Sequence, residues 1–136
     1  MTLRVELVEP DGEVWSGNAR MVIAKTLDGD LGVLTGHPPV LGILAEGSLV
    51  RILDAEEGAD ESREVVAAVS SGFLAVADDR VSILSRQAAL GTRVDTAAVR
   101  ADLEAATEAA GPTAPEDEPA EVKYSRALLR AAGERS

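Results

Sequence analysis

The chain has 136 residues, carries 13 Lys and Arg against 24 Asp and Glu for a formal charge of −11, and contains no cysteine, one histidine and one each of Trp, Tyr and Phe. That charge repels phosphate backbones and anionic lipid, and three aromatic rings offer little to stack on bases, which argues against nucleic-acid binding. Without cysteine there are no disulfides, thiolate metal sites or cysteine nucleophiles, and the lone His37 excludes any site built from several imidazoles. Arg4 and Glu6 interrupt the apolar residues at the amino terminus, unlike a signal-peptide core. The uncharged stretch Val65 to Ala77 includes Ser70, Ser71 and Gly72 and is too short to span a bilayer. Direct membrane insertion is not expected, so any membrane association goes through a partner. At 46% hydrophobic, the composition is that of a globular chain.

Up to about residue 90 the apolar pattern has period two. Leu3, Val5 and Leu7 alternate with Arg4 and Glu6, and Pro10-Asp11-Gly12 supplies a turn. Val14-Trp15 and Met21 to Ala24 follow as short apolar pieces around Ser16-Gly17-Asn18. Asp28-Gly29 predicts a tight turn before Leu31 to Leu34, and Gly36-His37-Pro38-Pro39 breaks the chain because two prolines remove two donors and fix φ. Val40 to Leu44 and Ser48 to Leu53 read as strands, and the acidic stretch Asp54 to Glu61 as a solvated loop. Arg63 to Ser70, Phe73 to Ala77 and Arg80 to Ser85 complete nine or ten short strands, which predict a β-sandwich or flattened barrel.

After Gly91 the period changes. Asp95 is a good N-cap for a helix over Ala97 to Ala110, with one stripe at Val94, Ala98, Ala101 and Ala105 and a second at Val99, Leu103, Ala106 and Ala110. Gly111-Pro112 ends it, and a Pro-rich, acidic linker over residues 111–119 leads to a second helix from Ala120 to about Ala132, stopped by Gly133. The chain is therefore expected to be mainly β with an α appendage: a sandwich over residues 1–90 and an αα-hairpin over residues 91–136.

Little in this pattern is catalytic. Neither a phosphate-binding glycine loop nor a dinucleotide-binding turn occurs, and Lys25 and Lys123 follow no glycine run. Ser70 and Ser71 have no base near in sequence, and His37 sits in a proline turn some thirty residues upstream, so a serine triad is disfavoured. Glu56, Glu57, Asp60 and Glu61 lack the spacing of a calcium loop and read as a solvated face. No catalytic residue, metal ligand or cofactor is assigned. The pattern also admits a stand-alone sandwich that binds a small ligand and a small enzyme on a cupin-like barrel. The scarcity of aromatics counts against a sugar platform, and the single histidine against the enzyme.

Asp28-Gly29-Asp30-Leu31-Gly32-Val33-Leu34-Thr35-Gly36-His37-Pro38-Pro39-Val40-Leu41 resembles the signature of the ε subunits of F-type ATP synthases, an acidic glycine turn followed by Gly-His-x-Pro-Leu. Val14-Trp15-Ser16-Gly17, Val69 to Val76 and Val81-Ser82-Ile83-Leu84 match that family at corresponding places, and the resemblance covers about residues 3 to 110. Ser71 stands where the family commonly has the first of two glycines.

The resemblance implies a ten-stranded sandwich with a two-helix hairpin, in a non-catalytic rotor part that couples proton flow to ATP synthesis. Its implied partners are the γ shaft and the membrane c-ring, with the α and β subunits reached by the hairpin. Its implied place is peripheral, on the cytoplasmic face of the cell membrane, as part of the complex. By position, Asp30, Gly32, Gly36 and His37 are implied to lie in loops facing the c-ring. Some relatives bind ATP through Asp-x-x-Arg-Ala; here Arg100-Ala101 follows Asp95 two residues late, so no nucleotide site is expected. Arg126 and Arg130, at i and i+4, are the implied inhibitory contact to the catalytic subunit, against a plain reading as a solvated basic face.

Overall fold

The alternation at the amino terminus becomes β1 (Leu3–Glu9), whose Leu3, Val5 and Leu7 are fully buried, and the Pro10-Asp11 turn returns the chain as β2 (Gly12–Ala19). The structure is a computed structural model that describes residues 2–55, 63–114 and 117–133. Glu56, Glu57, Asp60 and Glu61 of the expected acidic loop lie outside the described residues. In chain order come β3 (Met21–Thr26), β4 (Gly29–Leu34), β5 (Val40–Ile43), β6 (Ser48–Ala55), β7 (Arg63–Val69), β8 (Gly72–Ala77), β9 (Arg80–Ser85) and β10 (Ala88–Leu90). They form two five-stranded sheets, one in the order β2-β1-β9-β8-β5 and the other in the order β10-β7-β6-β3-β4. The molecule is a β-sandwich followed by two helices, as the periodicity predicts.

One core fills the space between the sheets. Leu3, Val5, Leu7, Trp15, Leu74, Val76, Val81 and Ile83 face it from the first sheet, and Val22, Val33, Val50, Ile52, Ala67 and Val69 from the second. Within the first sheet β1 and β9 run parallel, pairing Val5 with Val81 and Leu7 with Ile83, so the amino-terminal strand is locked at the centre by the last long strand.

Ser70 and Ser71, without a base near in sequence, have a structural task. Ser70 and Ser85 are buried where the chain crosses between sheets. Ser70 Oγ accepts from the Gln87 amide at 2.9 Å, Ser85 Oγ donates to the Gln87 carbonyl at 2.6 Å, and the Ser71 carbonyl accepts from the Arg86 amide at 2.8 Å. Buried polar groups satisfied in this way fix the crossing. Ser71 has no left-handed backbone, so it needs no glycine; Gly72 does, because a Cβ there would lie 2.7 Å from the Ser85 Cα.

A 3-10 turn over Gly91–Arg93 leads from β10 into α1 (Thr96–Ala110). Asp95 caps α1 by accepting from the Ala98 amide at 3.2 Å, and Gly111 ends it at φ 73°. Only one of the two expected stripes packs: Val99, Leu103, Ala106 and Ala110 are half-buried, whereas Ala98, Ala101 and Ala105 are exposed. No residue of α1 is fully buried, and α1 packs mainly against α2. The second helix, α2 (Ala120–Ala131), buries Val122, Ser125, Ala127 and Leu129. It lies against β6 and β7 on the outer face of the second sheet, where it covers Ala68, a residue that points away from the sandwich core. The hairpin is thus closed onto the sandwich.

Candidate functional site

The four loop residues singled out from the sequence do not converge. Asp30 and Gly32 lie on β4, an edge strand, with Asp30 opposite Lys25 and Gly32 opposite Ile23. Thr26 builds the turn before them: its Oγ1 donates to the Gly29 carbonyl at 2.8 Å and accepts from the Asp28 amide at 3.2 Å, while Gly29 takes φ 116°. Gly36 and His37 lie beyond the other end of β4. At about 3.3 Å per strand residue Asp30 and Gly36 stand up to about 20 Å apart, whereas Gly32 lies in the middle of the strand. Gly36 takes φ 82° and donates its amide to Asp79 Oδ1 at 2.7 Å. His37 Nδ1 lies 2.7 Å from the Pro38 carbonyl; a carbonyl only accepts, so Nδ1 carries the proton and the ring is held by its own turn. The acidic turn and the histidine turn therefore occupy opposite ends of the sandwich.

The two arginines of α2 are not a free basic face. Arg126 forms an ion pair with Glu118 at 2.9 Å, with side chains 34% and 18% exposed. Arg130 Nη2 donates to the Gly47 carbonyl at 3.1 Å, tying the last turn of α2 to the β5–β6 loop. Tyr124, also on α2, is half-buried; burial, with help from the Glu9 carboxylate on β1, pushes its phenol up to about 12. Among the described residues no three His, Asp or Glu side chains group closely enough to hold a metal ion.

A surface not singled out from the sequence is the outer face of the first sheet. In register across four neighbouring strands stand Ile43, Phe73, Leu84 and Val8, with Leu41 beside them on β5. Leu41 is 69% exposed, Ile43 59%, Phe73 44% and Leu84 41%. At a strand spacing of about 4.8 Å the row runs roughly 15 Å. Leu27, at the tip of the acidic turn, donates its amide to the Ile43 carbonyl at 3.0 Å and continues the apolar surface toward Asp28 and Asp30. The signal for this face was in the sequence: Val40 to Leu44 and Phe73 to Ala77 are apolar without alternation, as in strands covered on both sides.

Among the described residues no helix is long and apolar enough to cross a membrane. The family described as ATP synthase, Delta/Epsilon chain, beta-sandwich domain matches residues 2–91. The ATP synthase epsilon chain of Thermobifida fusca is 48% identical over 132 residues, covering 96% of this chain and 91% of that one. That of Frankia casuarinae is 50% identical over 90 residues, covering 66% of this chain and 99% of that one. A chain in the cryo-EM structure of the Euglena gracilis mitochondrial ATP synthase, OSCP/F1/c-ring, superposes with a TM-score of 0.67 at 19% identity, covering 97% of this chain and 79% of that one, a likeness of fold. The sandwich, the closed hairpin and these relatives together make the chain a member of the ATP synthase epsilon-chain family.

Proposed function

We propose that this chain is a non-catalytic rotor subunit that joins the γ shaft to the membrane c-ring of a proton-driven ATP synthase. On this reading it sits at the membrane surface only through the complex, on the cytoplasmic face. The observation that carries the proposal is the apolar row Ile43, Phe73, Leu84 and Val8 on the outer face of the first sheet. A contiguous apolar surface of this kind on a chain of charge −11 marks a protein interface. Family membership supplies the occupant, the γ subunit. The second sheet's outer face is already covered by α2, which leaves the first sheet for the shaft.

The c-ring contact falls to the acidic turn, with Asp28 and Asp30 exposed and Leu27 linking it to the γ face. Gly36 and His37, at the opposite end, belong to a different surface of the same joint. The hairpin is proposed as a weak brake on ATP hydrolysis, with Arg126 and Arg130 meeting the catalytic subunit when it opens. Exposed ion pairs contribute about 0–1 kcal/mol each and fade with salt, so the brake is partial.

Partner recovery tests the reading. From detergent-solubilised membranes the full chain is expected to capture α, β, γ and c subunits, and Phe73→Asp to lose them while keeping its circular dichroism spectrum. Equal capture by both chains contradicts the γ face assigned here.

A further inference from the structure

We infer that Gly47 and Gly91 are the two seats on which α2 rests, and that backbone contact at these seats sets how firmly the hairpin stays closed. A Cβ on Gly47 would lie 2.6 Å from the Lys123 carbonyl oxygen, and a Cβ on Gly91 would lie 2.6 Å from the Ala131 carbonyl carbon. Both distances are well inside van der Waals contact. In each case the obstacle is helix backbone, which cannot swing aside as the tip of a side chain can. Lys123 and Ala131 stand eight residues apart, about 12 Å along the axis, so the seats support α2 near both of its ends.

Between the seats the helix buries Ala127 and the sheet buries Ala68, both small. Such a flat contact works only while the backbones stay close. Gly47 serves twice: its Cα lies under Lys123 and its carbonyl accepts from Arg130. The outer helix adds no fully buried residue to hold the arrangement.

The regulatory consequence rests on the brake proposed above. While α2 is seated, Arg126 is bound by Glu118 and Arg130 by Gly47. Arg130 cannot be both held at Gly47 and presented to another subunit, so a change that unseats α2 frees it and strengthens the brake.

Gly91→Ala is the clean test, because Gly91 has no left-handed backbone and the substitution adds only a methyl group; Gly47, at φ 59°, would add backbone strain. Amide hydrogen exchange of the full chain is compared for the wild type, Gly91→Ala and Arg130→Ala. Amides of Ala120–Ala131 are expected to exchange at least about tenfold faster in Gly91→Ala, and less so in Arg130→Ala, with β1 and β9 unchanged. Unchanged α2 exchange in both variants overturns the seats. If Gly91→Ala also loosens β1 and β9, Arg130→Ala decides alone: faster exchange in α2 supports the seats and unchanged exchange overturns them. In the reconstituted complex Gly91→Ala is expected to hydrolyse ATP more slowly than the wild type. Faster α2 exchange without slower hydrolysis leaves the seats standing and removes the brake.

Discussion

Asp78 and Asp79 both take left-handed backbone, at φ 51° and 60°, and close the β8–β9 hairpin as a two-residue turn. Aspartate tolerates that region better than most residues, and Asp79 gains a second use by accepting the Gly36 amide. Tyr124 gives a pH dependence at this scale. Its phenol titrates at about 12 in the folded chain against an ordinary value of 10.0, so the native state holds the proton more tightly. Below pH 10 the group contributes nothing to the pH dependence of stability; between 10 and 12 the unfolded chain loses the proton first, and stability falls as pH rises. As Tyr124 is the only tyrosine, an ultraviolet difference titration is expected to place its ionisation near pH 12, and ionisation near 10 would show that α2 is not docked. The Asp78-Asp79 turn is legible in the sequence. The capture of Gly36 by Asp79 is not, because it joins residues 43 apart and depends on how two loops at one end of the sandwich meet.

The helices and the longer strands are where local chemistry and tertiary structure agree. Asp95, Gly111 and Gly133 act as the cap and stops that their types suggest, and α1 begins at Thr96 directly after its cap. Three features escaped the sequence for physical reasons. β10 is only Ala88–Leu90, too short to show a period, and it exists because Val69, Ala68 and Ala67 offer it a partner. The parallel pairing of β1 with β9 is set by packing between distant segments. The outward stripe of α1 is made of alanines, which fit a buried or an exposed helix face equally well. Since α1 has no fully buried residue, its stability depends on its cap more than that of α2 does. Asp95→Ala is expected to cost α1 about 1 kcal/mol and to speed hydrogen exchange in its first turn, leaving the unfolding midpoint of the sandwich in place. A shift of that midpoint would show that α1 holds the fold together.

At the scale of the whole molecule the sandwich is a stiff body with different chemistry on its faces. The first sheet presents an apolar row, the second is covered by α2, and one end carries the acidic turn at Asp28 to Asp30. The family and the sandwich were legible in the sequence, through the glycine and histidine turns and the period of two. The separation of Asp30 from Gly36 and His37 toward opposite ends was not, since it appears only when β4 is laid out as an edge strand with Gly32 in its middle. A joint between a shaft and a ring requires that the two contacts be separable: loss of the apolar row removes the subunit, whereas loss of the acidic turn leaves it bound and ineffective. Asp30 is exposed on an edge strand, so Asp30→Arg leaves the core untouched. The direct measurement is ATP-driven proton pumping, per ATP hydrolysed, in vesicles reconstituted with the complex carrying Asp30→Arg. Less pumping per ATP, with the subunit still present in normal amount, is the result predicted; pumping equal to that of the wild type would contradict the assignment of the acidic turn to the c-ring.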